Sequence, residues 1–117
     1  EDLLMIRSQL STTGRYHLLS GYVEVGETLE QTVKREVMEE VGVRIKNIRY
    51  YANQPWSFSD TLMIGFTAEL DGPRPPFHLQ EEEISAAKWV ARADIPARMD
   101  HASIGSEMIE AFREGRI

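Results

Sequence analysis

Cysteine is absent from the 117 residues, which excludes disulfide bonds, thiolate zinc sites and cysteine nucleophiles. The absence also fits a reducing compartment, so we expect a cytoplasmic protein. No apolar run approaches the roughly 18 residues that a membrane span needs, and no secretory or transit segment is visible. We therefore expect a soluble protein with no membrane partner.

Positive charge is scarce, because 13 Lys and Arg residues stand against 19 Asp and Glu residues and the formal net charge is −6. This balance argues against broad binding of a phosphate backbone, so long nucleic acid is a poor default partner. A metal-dependent enzyme can nevertheless be acidic and bind anions, since bound cations reverse the local sign. The length predicts one domain over residues 1–117.

The chain begins with Glu1 and Asp2 rather than methionine and continues directly into a strand-like apolar run. We interpret this as a trimmed N-terminus, with an upstream strand or domain missing.

Two helices are predicted from apolar periodicity. Leu29, Val33, Val37 and Val41 recur at every fourth position between an N-cap at Thr28 and a stop at Gly42. A second helix is predicted from Ile104 to Glu114, capped by Ser103 and closed by Gly115. Strands are predicted over 3–10, 43–52, 61–70 and 86–91, with a further apolar start at 18–19 and loops at 11–14 and 53–60. This order predicts an α/β sandwich built on a mixed sheet.

The first predicted helix carries a long motif. Nine residues match the pattern Gly-x5-Glu-x7-Arg-Glu-U-x-Glu-Glu-x-Gly-U, where U is aliphatic: Gly21, Glu27, Arg35, Glu36, Val37, Glu39, Glu40, Gly42 and Val43. The pattern is the Nudix box, and the chain therefore resembles the Nudix hydrolases. The resemblance implies the α/β/α sandwich of the Nudix fold around a mixed β-sheet.

The spacing of the glutamates predicts their chemistry. Glu36, Glu39 and Glu40 project from neighbouring helical turns, and Glu40 falls at the edge of the apolar stripe, so it should face inward. Clustered carboxylates near a packed face are costly unless divalent cations neutralise them, and hard oxygen ligands suit Mg²⁺ or Mn²⁺. The alternatives are a solvated acidic face and a plain surface pair between Arg35 and Glu27. The resemblance instead implies that the arginine orients the catalytic glutamates.

A second segment narrows the resemblance to the NADH pyrophosphatases, also known as NAD-capped RNA hydrolases. That family carries the array Ser-Gln-Pro-Trp-Pro-Phe-Pro-x-Ser, and residues 53–61 match it partially, with serine in place of both inner prolines. The resemblance implies substrate contacts by Gln54, Pro55, Trp56, Ser57, Phe58, Ser59, Asp60 and Thr61. The alternative for the two aromatic residues is ordinary core packing.

Further assignments rest on the resemblance alone. It implies a metal-binding carboxylate at Glu83, a metal contact by the Ser20 carbonyl, a substrate-stacking ring at Tyr22 and a small substrate-site residue at Gly105. A two-residue shift of the alignment would move the carboxylate from Glu83 to Glu81. Full-length members also carry an N-terminal domain and a four-cysteine zinc ribbon, and neither is present in the sequence.

The resulting hypothesis is a hydrolase that splits NADH or NAD into two mononucleotides. Glu39 is the preferred general base, with Glu36 and Glu83 as alternatives. Other open substrates are ADP-ribose, dinucleoside polyphosphates and NAD-capped RNA ends, and a non-catalytic nucleotide-sensing module is a further alternative. The resemblance also implies a homodimer. His17, His78 and His101 show no ligand spacing and are interpreted as structural or exposed.

Overall fold

A computed structural model describes residues 1–10, 15–56, 59–97 and 103–117. Its elements follow one another as β1 (Asp2–Ser8), α1 (Leu29–Val41), β2 (Ile45–Trp56), β3 (Thr61–Leu70), β4 (Ile84–Ala91), a single 3-10 turn (Arg92–Asp94) and α2 (Ile104–Arg113). Neither helix is long and apolar enough to cross a bilayer, in the part of the chain that is described. The predicted loop at 11–14, the residues Ser57 and Phe58, and His101 lie outside the described residues.

The strands pair in two antiparallel ladders. β1 pairs with β4, with Asp2 opposite Ala91, and β2 pairs with β3, with Trp56 opposite Thr61. We expected one mixed sheet, whereas the described strands show antiparallel pairing in both ladders. The strand start predicted at 18–19 is wrong: Ile6 forms an isolated bridge with His17, and Leu18 and Leu19 lie outside any strand, partly buried against the two core clusters.

Side-chain and backbone caps set the limits of α1. The Thr28 hydroxyl accepts from the Gln31 amide, and the Gln31 side chain accepts from the Thr28 amide, which makes a capping box. Gly42 ends the helix with φ 73°, in the left-handed region that favours glycine. A Cβ on Gly42 would lie 2.8 Å from the Cβ of His78. Both predicted ends of this helix are confirmed, and they fix the direction in which its glutamates project.

The core lies where the two strand pairs meet the helices. Ile6, Val41, Val43 and Ile84 form one buried cluster, and Met5, Ile95 and Ile109 form another. The first cluster holds the C-terminal end of α1, because Val41 is fully buried.

The second helix packs directly on β3. A Cβ on Gly65 would lie 2.6 Å from the sulfur of Met108, so a larger residue here would force the Met108 side chain to move. The start of α2 is the predicted one, with the Ser103 hydroxyl accepting from the amide of Ser106. The end predicted at Glu114 is its C-cap, and Gly115 follows with φ 78°.

Candidate active site

Glu36, Glu39 and Glu40, the three motif glutamates on α1, differ in their exposure. Glu40 is buried, with 5% of its surface exposed. The side chains of Glu36 and Glu39 are 19% and 48% exposed. The cluster therefore extends from the protein interior to solvent, and the expected inward direction of Glu40 is confirmed.

Arg35 connects this cluster to the preceding loop. Its Nε and Nη2 donate to the two carboxylate oxygens of Glu27 at 2.7 and 3.0 Å. Its Nη1 donates to Glu36 at 2.8 Å and to Glu39 at 3.1 Å, and its Nη2 also donates to the carbonyl of Tyr22 at 3.0 Å. A guanidinium that makes a paired contact with one carboxylate and reaches two others fixes their positions. Arg35 and Glu27 therefore belong to a network of several contacts and are not a plain surface pair.

The electrostatics agree with that geometry. The hydrogen bond from Arg35, followed by that from the Glu24 amide, lowers the pKa of Glu27 to about 2. The same contact raises the pKa of Arg35 above its usual range. Both groups are therefore charged at every pH at which the protein would operate.

Gly21 has a steric role beside Glu36. A Cβ at this position would lie 2.1 Å from the carboxyl carbon of Glu36. The loop can approach the carboxylate this closely only where the residue has no side chain. The contact with Glu36 therefore explains why the motif begins with a glycine.

Glu40 is an uncompensated acid. Its Oε2 is buried and has no hydrogen-bond partner in the described part of the chain. Burial, and then the neighbouring charges of Glu36, Glu83 and Glu39, raises its pKa to about 7. A buried carboxylate with an unpartnered oxygen and several acidic neighbours is stabilised by a cation.

Glu83 belongs to the same cluster electrostatically, although it lies in the turn before β4. Its negative charge raises the pKa of Glu40, whereas Glu81 and Glu82 are not among the groups that do so. Backbone hydrogen bonds hold this turn, since the Gln80 amide donates to the Glu40 carbonyl at 3.0 Å. This electrostatic effect on Glu40 favours Glu83 over Glu81 and Glu82 as a member of the cluster.

The carboxylate cluster offers oxygen donors to a divalent cation, although these donors are not arranged as a complete cage. No three His, Asp or Glu side chains among the described residues form a ready-made metal cage, and Arg35 occupies oxygens of Glu36 and Glu39. The oxygens nevertheless suit Mg²⁺ or Mn²⁺ chemically, because they are hard carboxylate donors and one of them is buried without a partner. Ser20 is exposed and adjoins Gly21, which packs against Glu36.

The segment expected to bind substrate is a hairpin rather than a long loop. β2 was predicted to end at residue 52 but continues to Trp56. Its last residues pair with β3, with Pro55 opposite Leu62. The turn is closed by the Ser59 amide on the Trp56 carbonyl at 3.3 Å. Residues 53–56 of the expected loop over 53–60 therefore belong to β2, and Ser59 and Asp60 lie between the two strands.

The remaining substrate candidates lie in three places: the tip of the hairpin, the loop before α1 and the first turn of α2. The hydroxyl groups of Ser59 and Thr61 lie 2.8 Å apart, and Asp60 adopts φ 51° at the tip of the hairpin. Tyr22 lies in the loop before α1, next to Gly21 of the Nudix box, and is 78% exposed. Gly105 lies in the first turn of α2, where an added Cβ would meet only the hydroxyl of Ser103 at 4.0 Å. The structure therefore does not bring all the predicted residues into one contact set.

Gln54 has a role that the sequence did not reveal. Its side-chain oxygen accepts from the amide of Ile104 at 2.8 Å, and so it caps the N-terminus of α2. The contact joins residues 50 positions apart, which no local pattern indicates.

A cavity of about 560 Å³ lies beside this contact, between β2 and α2, and was also missed by sequence reasoning. Its lining residues are Tyr51, Ala52, Asn53, Gln54, Ser103, Ile104 and Glu107. Inside it, the Tyr51 hydroxyl donates to Glu107 at 2.5 Å, and Arg116 contacts the other carboxylate oxygen at 3.2 Å. The residues come from distant parts of the chain, so spacing alone could not find them.

Comparison with known proteins agrees with the fold and the motif. The NUDIX domain family matches residues 1–112. The NAD-capped RNA hydrolase NudC of Mannheimia succiniciproducens is 46% identical over 99 residues, which are 84% of this chain and 36% of that protein. The enzyme of the same name from Pseudomonas syringae is 45% identical over 113 residues, or 96% of this chain and 40% of that protein.

Solved structures show the same fold. The NUDIX domain of Shewanella oneidensis NrtR, crystallised with ADP ribose, has a TM-score of 0.72 and 23% identity, covering 99% of this chain and 78% of that one. A Caenorhabditis elegans Ap4A hydrolase has a TM-score of 0.67 and 21% identity, covering 97% and 88%.

These likenesses confirm the α/β Nudix fold expected from the sequence. The chain belongs to the NUDIX domain family. The relatives named NudC confirm the resemblance to NAD-capped RNA hydrolases, and the chain spans about two fifths of their length.

Proposed function

We propose that the protein is a metal-dependent hydrolase of NAD-type dinucleotides, which cleaves the diphosphate linkage and releases two mononucleotides. The observation that carries this proposal is the buried, unpartnered oxygen of Glu40 beside Glu36, Glu39 and Glu83. Such an arrangement suits a cation that also binds a diphosphate. The names of the relatives support the NAD-type substrate.

Each residue has a proposed role. Glu36, Glu40 and Glu83, with the carbonyl of Ser20, would hold Mg²⁺ or Mn²⁺, which would neutralise the diphosphate and lower the pKa of a bound water. Glu39 accepts the proton of the attacking water, since it is more exposed than Glu36 and Glu40 and Arg35 fixes one of its oxygens. The water oxygen forms a bond to phosphorus, and the bond from phosphorus to the bridging oxygen breaks.

The finer assignments remain predictions. Glu36 and Glu83 stay open as alternative general bases. An NAD-capped RNA end is the second candidate substrate, because the relatives with 46% and 45% identity carry that name. The hairpin residues 54–61 with Tyr22 and Gly105 are proposed to contact the substrate, and the homodimer and the cytoplasmic location also stay predictions.

The decisive experiment is a turnover assay of the 117-residue chain. NADH, NAD and ADP-ribose are compared, with Mg²⁺ or Mn²⁺, and products are separated by chromatography. We expect reduced nicotinamide mononucleotide and AMP from NADH. Turnover of ADP-ribose at a higher kcat/KM than both dinucleotides would contradict the NAD-type assignment, and absence of any turnover would contradict hydrolysis itself.

A further inference from the structure

Most cationic side chains of this acidic protein have a partner within the described residues. Ion pairs or ring contacts are formed by Arg7, Arg35, Arg74, Lys88, Arg92, Arg113 and Arg116. Four cations of the described chain make no such contact and no side-chain hydrogen bond: Lys34, Arg44, Lys46 and Arg49. Three of the four follow one another along β2 or immediately before it, so the unpaired positive charge is concentrated in one region.

Two of these cations line a second cavity, here called the α1–β2 groove. The groove has a volume of about 490 Å³ and is lined by Gln31, Lys34, Arg35, Met38, Val43, Arg44, Ile45 and Asp71. Val43 is 1% exposed and lies beneath the surface of the groove, so the apolar surface open to a ligand is that of Met38, which is 42% exposed, and of the partly exposed Ile45. The groove thus combines an apolar surface with unpaired positive charge.

The groove and the acidic cluster lie on different sides of the same helix. Gln31, Lys34 and Met38 follow a spacing of three and four residues and share one stripe of α1. At about 100° per residue, Glu40 lies nearly opposite that stripe, and Arg35 lies between the two. Arg35 contacts Glu36 and Glu39 and also lines the groove. A chain attached to a substrate at the glutamates could therefore continue past Arg35 into the groove.

The charges identify the kind of ligand. Arg35 is compensated by Glu27, so the uncompensated groups of the groove are Lys34 and Arg44 against the single acid Asp71. Side chains of this kind contact phosphates, while an apolar surface accepts the face of a ribose or base. The net charge of −6 opposes extended binding of nucleic acid, so the contact must be short.

We propose that the α1–β2 groove binds backbone phosphates of the RNA attached to an NAD-type cap, with Lys34 and Arg44 as the phosphate contacts. The inference rests on the proposed function, because it names the body of the capped substrate. Lys46 and Arg49 continue the positive region along β2. The groove would raise the affinity for a capped RNA and leave the affinity for a free dinucleotide unchanged.

The test removes the two positive charges. Lys34→Gln combined with Arg44→Gln is compared with a matched control, Arg74→Gln combined with Lys88→Gln, which changes the net charge equally on the β1–β4 side. Binding of a short single-stranded RNA carrying a 5′-monophosphate is followed by fluorescence anisotropy over a range of salt concentrations. This readout does not depend on catalysis.

The groove variant should bind the RNA at least about tenfold more weakly at low salt. Its slope of log K against log salt should fall by about 0.7 for each phosphate contact that is lost. The control should keep the wild-type slope. In parallel, kcat/KM of the groove variant should fall for an NAD-capped oligonucleotide and stay within about twofold for NADH.

Three results would overturn the proposal: an unchanged salt slope in the groove variant, an equal loss in the control, or competition by free AMP as effective as that of the RNA. The last would make the groove a mononucleotide site. Failure of the proposed function gives a different pattern, because the wild-type chain would then hydrolyse no dinucleotide although its RNA binding could still be measured.

Discussion

At the scale of single residues, Glu40 combines properties that conflict in the metal-free protein. Its carboxylate is buried, one oxygen has no partner within the described residues, and its pKa is raised to about 7. A group that served only the fold would be better replaced by an apolar residue of similar size. The cost is explained if the charge acts on a bound cation.

Glu40→Gln should abolish turnover while the fold persists, because it removes the charge with little change in size. Losses of about 10²-fold or more in kcat are typical for a group that acts on charge in the transition state. Steady-state kinetics at saturating Mg²⁺ with circular dichroism as the folding control measure the effect. A variant that keeps more than about a tenth of wild-type kcat would show that Glu40 is not a metal ligand.

The same residue predicts a pH dependence of stability. Its pKa rises from an ordinary 4.5 to about 7 on folding, so between these values the folded state binds more protons than the unfolded state. The free energy of unfolding of the metal-free protein should therefore decrease as pH rises through this window, by on the order of 3 kcal/mol. Glu27 does not interfere, because its lowered pKa acts below pH 4.5.

Urea unfolding at pH 5 and pH 8 measures this slope, with EDTA present. Glu40→Gln should flatten the dependence and raise the stability at pH 8. An equally steep slope in the variant would assign the effect to other acids. This comparison also separates stability from activity, since Glu40→Gln is expected to gain stability at pH 8 and to lose turnover.

Gly21 provides a steric test at the residue scale. In Gly21→Ala the new Cβ would collide with the Glu36 carboxyl, which lies 2.1 Å from that position. We expect a fall in kcat/KM with little change in melting temperature, because the loop is exposed. Circular dichroism and the melting temperature of the variant serve as the folding control. Wild-type kinetics in Gly21→Ala would show that the contact does not position Glu36.

At the scale of elements, α2 depends on β2 through one side chain. Gln54 accepts from the Ile104 amide at the start of the helix, and the cavity between these elements lies beside that contact. Gln54→Ala should cost about 1 kcal/mol of unfolding free energy, the usual value of a net hydrogen bond. Thermal denaturation measures this loss, and a neighbouring exposed substitution, Asn53→Ala, serves as the comparison. Equal effects of the two substitutions would contradict the capping role.

The hairpin between β2 and β3 bears on substrate choice. Trp56 ends β2 and is partly exposed, so its ring can stack on a flat base at about 1–3 kcal/mol. Trp56→Ala should change the ratio of kcat/KM for NADH and ADP-ribose while the protein stays folded and binds metal. An unfolded or aggregated variant would instead assign Trp56 to packing, and the NAD-type assignment would then rest on overall resemblance.

At the scale of the whole molecule, all oxygen donors of the proposed metal site are carboxylates or a carbonyl. EDTA should therefore inhibit turnover completely, and Mg²⁺ or Mn²⁺ should restore it without zinc. The assay repeats the NADH reaction after dialysis against EDTA and after addition of each metal separately. Full activity in the chelated protein would exclude the proposed mechanism.

The sequence predicted the local features well and the long-range ones poorly. Thr28, Gly42 and Ser103 act at helix ends, where residue type determines the backbone conformation, and each was placed correctly. The contact of Gln54 with α2 and the pairing of Tyr51 with Glu107 join residues 50 and 56 positions apart. Such contacts depend on how the elements pack, and periodicity does not encode packing.

The strand limits illustrate the same division. β3 was predicted from Thr61 to Leu70, as observed, whereas β2 was predicted to end at Ala52 and continues to Trp56. The extension depends on cross-strand partners such as Pro55 and Leu62. In a sequence, by contrast, a proline usually predicts the end of a strand. The Nudix box was found from the sequence because its residues are close together along one loop and one helix.

The turn before β4 has a consequence for the proposed metal site. Backbone hydrogen bonds tie this turn to the end of α1, from the His78 amide to the Val41 carbonyl and from the Gln80 amide to the Glu40 carbonyl, at 2.9 and 3.0 Å. Glu40 and Glu83, which are distant in sequence and are proposed here as metal ligands, are thereby held on one connected piece of backbone. If they bind an ion as proposed, much of the conformational entropy cost of bringing them together is met during folding, and the affinity would depend on an attachment that contributes no ligand atom.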